Sequence, residues 1–165
     1  MDFPPQGLRT RTPLAVSLGS NLGDRASHLH FAIARLARFL TDLRVSTFIE
    51  TEPVGVGPQP LFLNAAATAQ TPLDAPAVLE TLLAIERDRG RTRPHQGAPR
   101  TLDLDLILFG NHVIDRPGLH VPHPRFRERR FVLQPLSEIG PRMVDPVTGL
   151  TVSELLARLD DAAKG

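Results

Sequence analysis

The 165 residues include 19 Lys and Arg against 18 Asp and Glu, so the net charge is +1 and no whole-molecule field favours nucleic acid. Because the chain has no cysteine, disulfides, a thiolate nucleophile and a thiolate zinc site are excluded. No apolar run reaches the roughly 18 residues of a transmembrane helix, and the first residues lack a signal-peptide core. A cytoplasmic protein is therefore expected.

The first 90 residues predict alternating strands and helices behind a short tail. Residues 1–12 are expected to form a flexible tail and residues 13–165 a single domain. In chain order we predict a strand at 14–18, a helix at about 24–40, a strand at 44–51, a Pro- and Gly-rich loop at 52–60, a strand at 61–71 and a helix at 75–89. Asp24 and Asp74 are the predicted N-caps of the two helices. On the second helix, Glu86 is expected to face largely outward.

Asn64 interrupts an apolar pattern in the strand at 61–71, on the same face as Phe62. A buried Asn needs partners for both its amide and its carbonyl. One explanation, which the sequence slightly favours, is pairing with the backbone of a neighbouring loop. The other is that the amide reads the edge of a flat heterocycle beside the aromatic ring.

The stretch 100–110 (RTLDLDLILFG) predicts the central strand of the chain, because its residues alternate strictly. One face carries Leu102, Leu104, Leu106 and Leu108, and the other carries Asp103, Asp105, Ile107 and Phe109. Two adjacent carboxylates repel each other unless positive charge lies between them, either as arginine or as a divalent metal. We favour metal, because short carboxylates on one face suit a hard cation and the Arg-rich segments 87–100 and 125–130 suit a phosphate-bearing substrate.

The C-terminal part predicts additions to this core. A short strand at 112–115 is expected to pair back after the turn at Gly110, and the basic segment 119–131 forms either a surface helix or a packed wall. A helix at 131–139 is expected to be broken by Pro135, and Thr151 or Ser153 caps a final helix. The order β, α, β, β, α, β predicts an α+β fold with a ferredoxin-like βαββαβ core and a mainly antiparallel sheet.

Five motifs, in this order and spacing, resemble the 6-hydroxymethyl-7,8-dihydropterin pyrophosphokinase family of folate biosynthesis. They are LGSN at 18–21, FLNAA at 62–66, GRTR at 90–93, APRTLDLDLILFG at 98–110 and VPHPRFRERRFVLQPL at 121–136. The resemblance implies an α/β/α sandwich. It also implies transfer of pyrophosphate from ATP to the hydroxymethyl group of the pterin, giving AMP and the pterin diphosphate.

The resemblance also implies a set of site residues. Asp103 and Asp105 are expected to hold two Mg²⁺ ions and, with Arg91 and Arg100, to be catalytic. The expected ATP contacts are Glu86, Arg91, Arg93, Arg100, the backbone at Leu106, His123 and Arg129. The expected pterin contacts are Thr51, Pro53, Val54, Phe62, Asn64 and Phe131. The partners are expected to be these small molecules, with neither nucleic acid nor membrane, and the enzyme is expected to be a monomer.

The chain departs from the family pattern in its loops. Glu52-Pro53 stands where some members have two prolines, Phe62 stands where Tyr is frequent, and the basic loop lacks a Trp. Two other classes fit parts of the sequence. An RNA-binding module is disfavoured by the lack of Tyr and Trp and by the low net charge. A metal-dependent phosphoesterase would use the Asp pair but would need no acceptor.

Overall fold

The computed structural model describes residues 10–52, 61–90 and 101–164. In chain order the elements are β1 (Thr12–Ser20), α1 (Arg25–Leu36), β2 (Thr41–Val45), β3 (Ile49–Thr51), β4 (Phe62–Thr71), α2 (Ala75–Asp88), β5 (Asp103–Phe109), β6 (Ile114–Arg116), β7 (Leu119–Val121), a 3₁₀ turn (Phe126–Glu128), α3 (Arg130–Ile139) and α4 (Val152–Lys164). Across these ranges, no helix combines the length and the apolar character needed to cross a membrane.

The main sheet has the strand order β2-β4-β1-β5, with β3 also paired to β4. Every pairing in it is antiparallel. This is the strand order of the split βαβ arrangement, in which the first strand lies between the third and the last strand of the core. The predicted α+β fold with a βαββαβ core is confirmed.

Helices cover both faces of this sheet, which completes the expected α/β/α sandwich. On one face α1 and α2 bury a stripe of side chains: Leu29, Ala32, Leu36, Val78, Leu82 and Ile85. The predicted caps begin both helices, since Asp24 accepts from the Ser27 amide at 3.1 Å and Asp74 accepts from the Ala77 amide at 2.9 Å. On the other face α3 and α4 pack against the sheet through Val132, Leu133, Leu136, Val152 and Leu155.

The single strand predicted at 44–51 is wrong, because the structure divides it into β2 and β3. Val45 pairs with Ala67 and Ile49 pairs with Asn64, so residues 46–48 stand opposite only 65 and 66. The Ser46 hydroxyl stabilises this bulge by accepting from the Ala66 amide at 2.9 Å. An extra residue of this kind bends the strand and changes the direction of the residues after it.

Four predictions for helices, turns and strands are also wrong in detail. The first helix ends at Leu36 rather than near 40. Helix α3 runs through Pro135 without breaking. A proline inside a helix removes only one backbone hydrogen bond, and the burial of Pro135 in the tertiary structure offsets that loss. The segment 112–115 contributes to β6, which pairs with β7 in a separate hairpin and not with β5. The strand predicted to be central, β5, lies at the edge of the sheet.

A bulge near the end of β5 overturns the predicted faces of its last two residues. Leu106 pairs with Val16 and Leu108 pairs with Ala15, so Ile107 is the extra residue between them. Leu108 therefore joins Ile107 in the cluster beneath α3 and α4. Phe109 turns to the opposite cluster, beneath α1 and α2.

Candidate active site

The register of the sheet brings the predicted metal and pterin residues to one face. Gly19 pairs with Asp103 on one side and with Asn64 on the other. Ser17 likewise pairs with Asp105. Directly opposed residues of neighbouring strands point to the same side of a sheet, with Cβ atoms about 5 Å apart. The two carboxylates on β5 and the amide of Asn64 on β4, which is distant from them in sequence, therefore lie on the same face of the sheet.

This face is apolar over one half and polar over the other. The cluster beneath α3 and α4 includes Ala15, Ala66 and Ile107. Beyond these residues the same face carries polar side chains or no side chain, at Ser17, Gly19, Asn64, Asp103 and Asp105. We call this second part the polar half of the sheet.

Asp103 and Asp105 are half-buried at the start of β5. Strand geometry separates their Cα atoms by about 6.6 Å. Among the described residues, no group of three or more His, Cys, Asp and Glu could hold a metal ion unaided. Mg²⁺ is commonly bound through one or two carboxylates together with substrate phosphates and water, rather than by an all-protein cage. The Asp pair therefore fits Mg²⁺ that arrives with a nucleotide.

The predicted pterin contacts Thr51, Phe62 and Asn64 lie together at the other side of the polar half. Thr51 pairs with Phe62 across the β3–β4 ladder. Asn64 is only 4% exposed, and its amide nitrogen donates to the Thr51 hydroxyl. The partner is a side-chain hydroxyl on strand β3, whereas the explanation that the sequence slightly favoured was pairing with the backbone of a neighbouring loop. The hydrogen bond orients the amide beside the aromatic ring.

Glu86 is buried, so the prediction that it faces outward is wrong. It is 2% exposed, and its Oε2 accepts from the Leu104 amide at 2.7 Å. The amide of Leu104 therefore points away from β1, at the outer edge of β5. Because N–H and C=O groups of alternate residues point to the same side, Leu106 presents its backbone at that edge too. Glu86 and Leu106, both predicted nucleotide contacts, thus lie along one strand edge.

Within the predicted basic stretch, residues 123–130 contain four arginines, and we call these residues the basic segment from here on. Three of the four arginines form ion pairs with carboxylates. Arg125 pairs with Glu128, Arg127 pairs with Asp145, and Arg130 pairs with Asp160. Within the described part of the chain, Arg129 has no carboxylate partner, and its guanidinium lies 5.5 Å from the centre of the Phe131 ring. Of the four arginines of the segment, Arg129 is the one whose charge remains for an anionic ligand.

His123 lies next to β5, where its amide donates to the Ile107 carbonyl at 3.0 Å. Its Nδ1 accepts from the Arg125 amide at 3.1 Å, so a neutral ring carries its proton on Nε2. Burial, and then the charge of Arg129, lower the pKa of His123, while Asp103 acts in the opposite direction. A neutral His123 therefore offers an N–H donor near both Arg129 and Asp103.

Phe131 lies at the start of α3 and is half-buried against the cluster under that helix. Its contact with Arg129 joins a predicted pterin wall to a predicted phosphate ligand. Five predicted site residues lie outside the described ranges: Pro53, Val54, Arg91, Arg93 and Arg100.

Sequence reasoning missed Gly19, which the structure places between the Asp pair and Asn64. A Cβ at this position would lie 3.0 Å from Asn64 Oδ1 and 3.7 Å from Phe62 Cδ1. The motif LGSN contained the signal, but its glycine predicts only a tight turn when the facing strands are unknown. Because Gly19 has no side chain, the surface of β1 between Asp103 and Asn64 carries no atoms beyond the backbone, and we call this surface the open floor of the polar half.

Comparisons with known proteins agree over most of the chain. The sequence model described as 7,8-dihydro-6-hydroxymethylpterin-pyrophosphokinase matches residues 15–141. A 2-amino-4-hydroxy-6-hydroxymethyldihydropteridine pyrophosphokinase of Synechocystis sp. is 41% identical over 164 residues, covering 98% of this chain and 82% of that protein. One of Bacillus subtilis is 46% identical over 126 residues, covering 75% of each chain. The wild-type HPPK-DHPS of Plasmodium falciparum, crystallised with pteroate, has a TM-score of 0.76 at 14% identity, covering 94% of this chain and 43% of that one, which supports the fold alone.

Fold, site and relatives together define a transferase with a ferredoxin-like α+β core. The pyrophosphokinase relatives act on a hydroxymethylpterin, as their names state. The chain belongs to the 7,8-dihydro-6-hydroxymethylpterin pyrophosphokinase family. The expected activity, pyrophosphate transfer to hydroxymethyldihydropterin in folate biosynthesis with ATP as co-substrate, is confirmed at the level of the family.

Proposed function

We propose that the polar half of the sheet is the active site and that Asp103 and Asp105 bind two Mg²⁺ ions there with ATP. The observation that carries the proposal is the row formed by Asp103, Gly19 and Asn64 across three strands. Two strand spacings separate the carboxylate from the amide, about 10 Å in all. This distance suits a pterin ring held at one end and its hydroxymethyl group directed towards the phosphates at the other.

Charge stabilisation and positioning provide most of the catalysis in this proposal. ATP carries about four negative charges, and phosphoryl transfer needs little covalent work from a protein. Mg²⁺, when bound by the Asp pair, would neutralise phosphate charge and favour attack by the hydroxymethyl oxygen. Arg129 and the Nε2–H of His123 donate to phosphate oxygens, where they stabilise the charge that develops as AMP departs. Arg91, Arg93 and Arg100 are proposed to contact the same phosphates, with Arg91 and Arg100 catalytic.

The nucleotide and the pterin are proposed to occupy different sides of the site. The adenine lies along the outer edge of β5, where the backbone of Leu106 is presented next to Glu86. The pterin lies between Phe62 and Phe131, whose rings suit stacking against a flat heterocycle. Asn64 hydrogen-bonds to the amide-like edge of the pterin, with Thr51 behind it. Pro53 and Val54 are proposed to close this pocket.

We also propose that the enzyme acts as a monomer in the cytoplasm. The near-zero net charge supports small-molecule substrates rather than nucleic acid. Neither a membrane nor a macromolecule is part of the proposed reaction.

Release of AMP from MgATP, with and without 6-hydroxymethyl-7,8-dihydropterin, tests the proposal. We expect AMP only when the pterin is present. Asp103→Ala and removal of Mg²⁺ by a chelator should each abolish the signal. The matched control is Asp115→Ala on the β6–β7 hairpin, where the carboxylate is 89% exposed and lies outside the polar half. AMP release that needs no pterin would favour a phosphoesterase, and full activity in Asp103→Ala would refute the metal assignment.

A further inference from the structure

The basic segment reaches the proposed phosphate site through His123 at its start and Arg129 near its end. Its start is attached to β5 by the hydrogen bond from the His123 amide to the Ile107 carbonyl. Its end continues into α3. Between these ends lies the 3₁₀ turn, whose Phe126 is fully buried beneath α3 and α4. The conformation of this turn therefore sets where His123 and Arg129 lie relative to each other.

The carboxylate of Asp145 binds the 3₁₀ turn through Arg127, which lies within that turn. Its oxygens accept from Arg127 Nε at 2.5 Å and Nη2 at 2.9 Å, from the Val147 amide at 3.0 Å and from the Thr148 hydroxyl at 2.7 Å. The Asp145 side chain is fully buried, and the Arg127 guanidinium also lies 4.9 Å from the centre of the Phe126 ring. A two-pronged contact of this kind fixes direction as well as distance.

Fold stability alone gives a weak reason for an ion pair at this place, where the carboxylate is fully buried and the Arg127 side chain is 28% exposed. Apolar residues of similar volume often replace such pairs without loss of stability, because burying two charges is costly. What an apolar replacement lacks is the planar geometry of the guanidinium and carboxylate. The neighbouring pairs of Arg125 with Glu128 and Arg130 with Asp160 are largely exposed and impose little geometry.

We propose that Asp145 and Arg127 are a positioning pair for ATP, which holds the 3₁₀ turn so that His123 and Arg129 face the same phosphates. Neither member of the pair is a catalytic residue. The inference rests on the roles proposed above for His123 and Arg129. The inference adds a specific expectation: breaking the Asp145–Arg127 pair should weaken chiefly the binding of the ligand that His123 and Arg129 contact. ATP should be affected more than the pterin. The proposed pterin contacts Phe62, Asn64 and Thr51 lie on other strands, and only Phe131, at the start of α3, follows the turn.

Steady-state kinetics of four single variants and one double variant test the positioning role, and His123→Ala tests the roles on which it rests. Arg127→Met removes both the charge and the planar guanidinium that donates two hydrogen bonds, but it keeps a long apolar side chain. Arg127→Lys keeps the charge and removes the guanidinium. Asp145→Asn removes the charge of the partner. Arg125→Met is the matched control, since it deletes one positive charge from the same segment at an exposed pair. The thermal midpoint of each variant is measured, and the kinetics are run well below the lowest of them.

We expect Arg127→Met and Asp145→Asn to raise KM for ATP by about tenfold or more, since small displacements of a binding group have effects of this order. KM for the pterin should rise much less than KM for ATP, because only one of its proposed contacts, Phe131, follows the turn. KM for ATP in Arg127→Lys should fall between the values for Arg127→Met and the wild type, and in Arg125→Met it should match the wild type. The double variant Arg127→Met/Asp145→Asn should raise KM for ATP no more than either of its single substitutions, because both substitutions remove the same ion pair.

Three results would overturn the positioning role. A lowered thermal midpoint with unchanged KM for ATP would show a structural pair only. An equal effect of Arg125→Met would show that the charge of the segment matters and its geometry does not. An equal rise in both KM values would show a general disturbance. A failure of the underlying roles is recognised separately, because His123→Ala would then leave KM for ATP unchanged.

Discussion

Substitution of Gly19 by Ala tests whether the open floor between Asp103 and Asn64 accepts the pterin. The added methyl group would lie 3.0 Å from Asn64 Oδ1, closer than carbon and oxygen atoms normally approach. Asn64 must therefore shift by a few tenths of an ångström. Because its amide nitrogen donates to the Thr51 hydroxyl, a shift also disturbs that hydrogen bond.

The magnitude is that of overpacking in a close-packed site. One extra methyl in such a place costs about 1–3 kcal/mol, which corresponds to roughly fivefold to 150-fold in an equilibrium constant. The contacts of the new methyl group are with Asn64, Phe62 and the Leu63 carbonyl, all on the pterin side. We expect KM for the pterin to rise by this factor while KM for ATP changes little.

The assay is AMP release at saturating ATP with the pterin varied, and then with the two exchanged. Gly118→Ala provides the control for lost stability. Gly118 lies in the β6–β7 turn with φ +79°, and an added Cβ meets no atom within 4 Å. Alanine there should cost about 1 kcal/mol of folding stability through backbone strain, without a change in either KM. An unchanged KM for the pterin in Gly19→Ala, or an equal rise for both substrates, would show that the pterin does not lie over this floor.

Three further predictions concern the carboxylates and aromatic rings. Asp105→Asn should leave a folded protein that is nearly inactive, because one metal-binding charge is lost; normal turnover in the AMP assay would contradict the two-metal site. Phe62→Ala and Phe131→Ala should each weaken pterin binding more than ATP binding in calorimetric titrations, and equal losses would argue against stacking. Burial alone would raise the pKa of Asp145, yet its hydrogen bonds, chiefly from Arg127, lower it from 3.8 to about 2. A folded pKa below the unfolded one gives stability that is present above about pH 4 and lost as the pH falls towards 2, about 2 kcal/mol here. Urea unfolding of Asp145→Asn should lack this part of the acid dependence, and an identical acid dependence would contradict the assignment.

The core of the fold could be predicted because its signals are local. The caps at Asp24 and Asp74, the helical stripes and the alternation within 61–71 each depend on neighbours a few residues away. The wrong predictions occur where contacts from distant elements prevail. Ser46 forms a bulge with the Ala66 backbone, and Glu86 is buried because the Leu104 amide needs an acceptor at the strand edge. Neither partner is visible from the residues beside them in sequence.

The same distinction applies to the site. The order of amino acids is enough to propose the side chains of the site: two carboxylates on one strand, an amide and an aromatic ring on another, and a basic segment rich in arginine. The periodicity of strands and the charges of side chains need no fold to be recognised. Packing in three dimensions was needed to show that Gly19 separates Asp103 from Asn64. It was also needed to show that Arg129 has no carboxylate partner among the described residues, while its neighbours pair with Glu128, Asp145 and Asp160. The physical reason is that strand register and ion-pair partners are set by contacts between elements far apart in the chain.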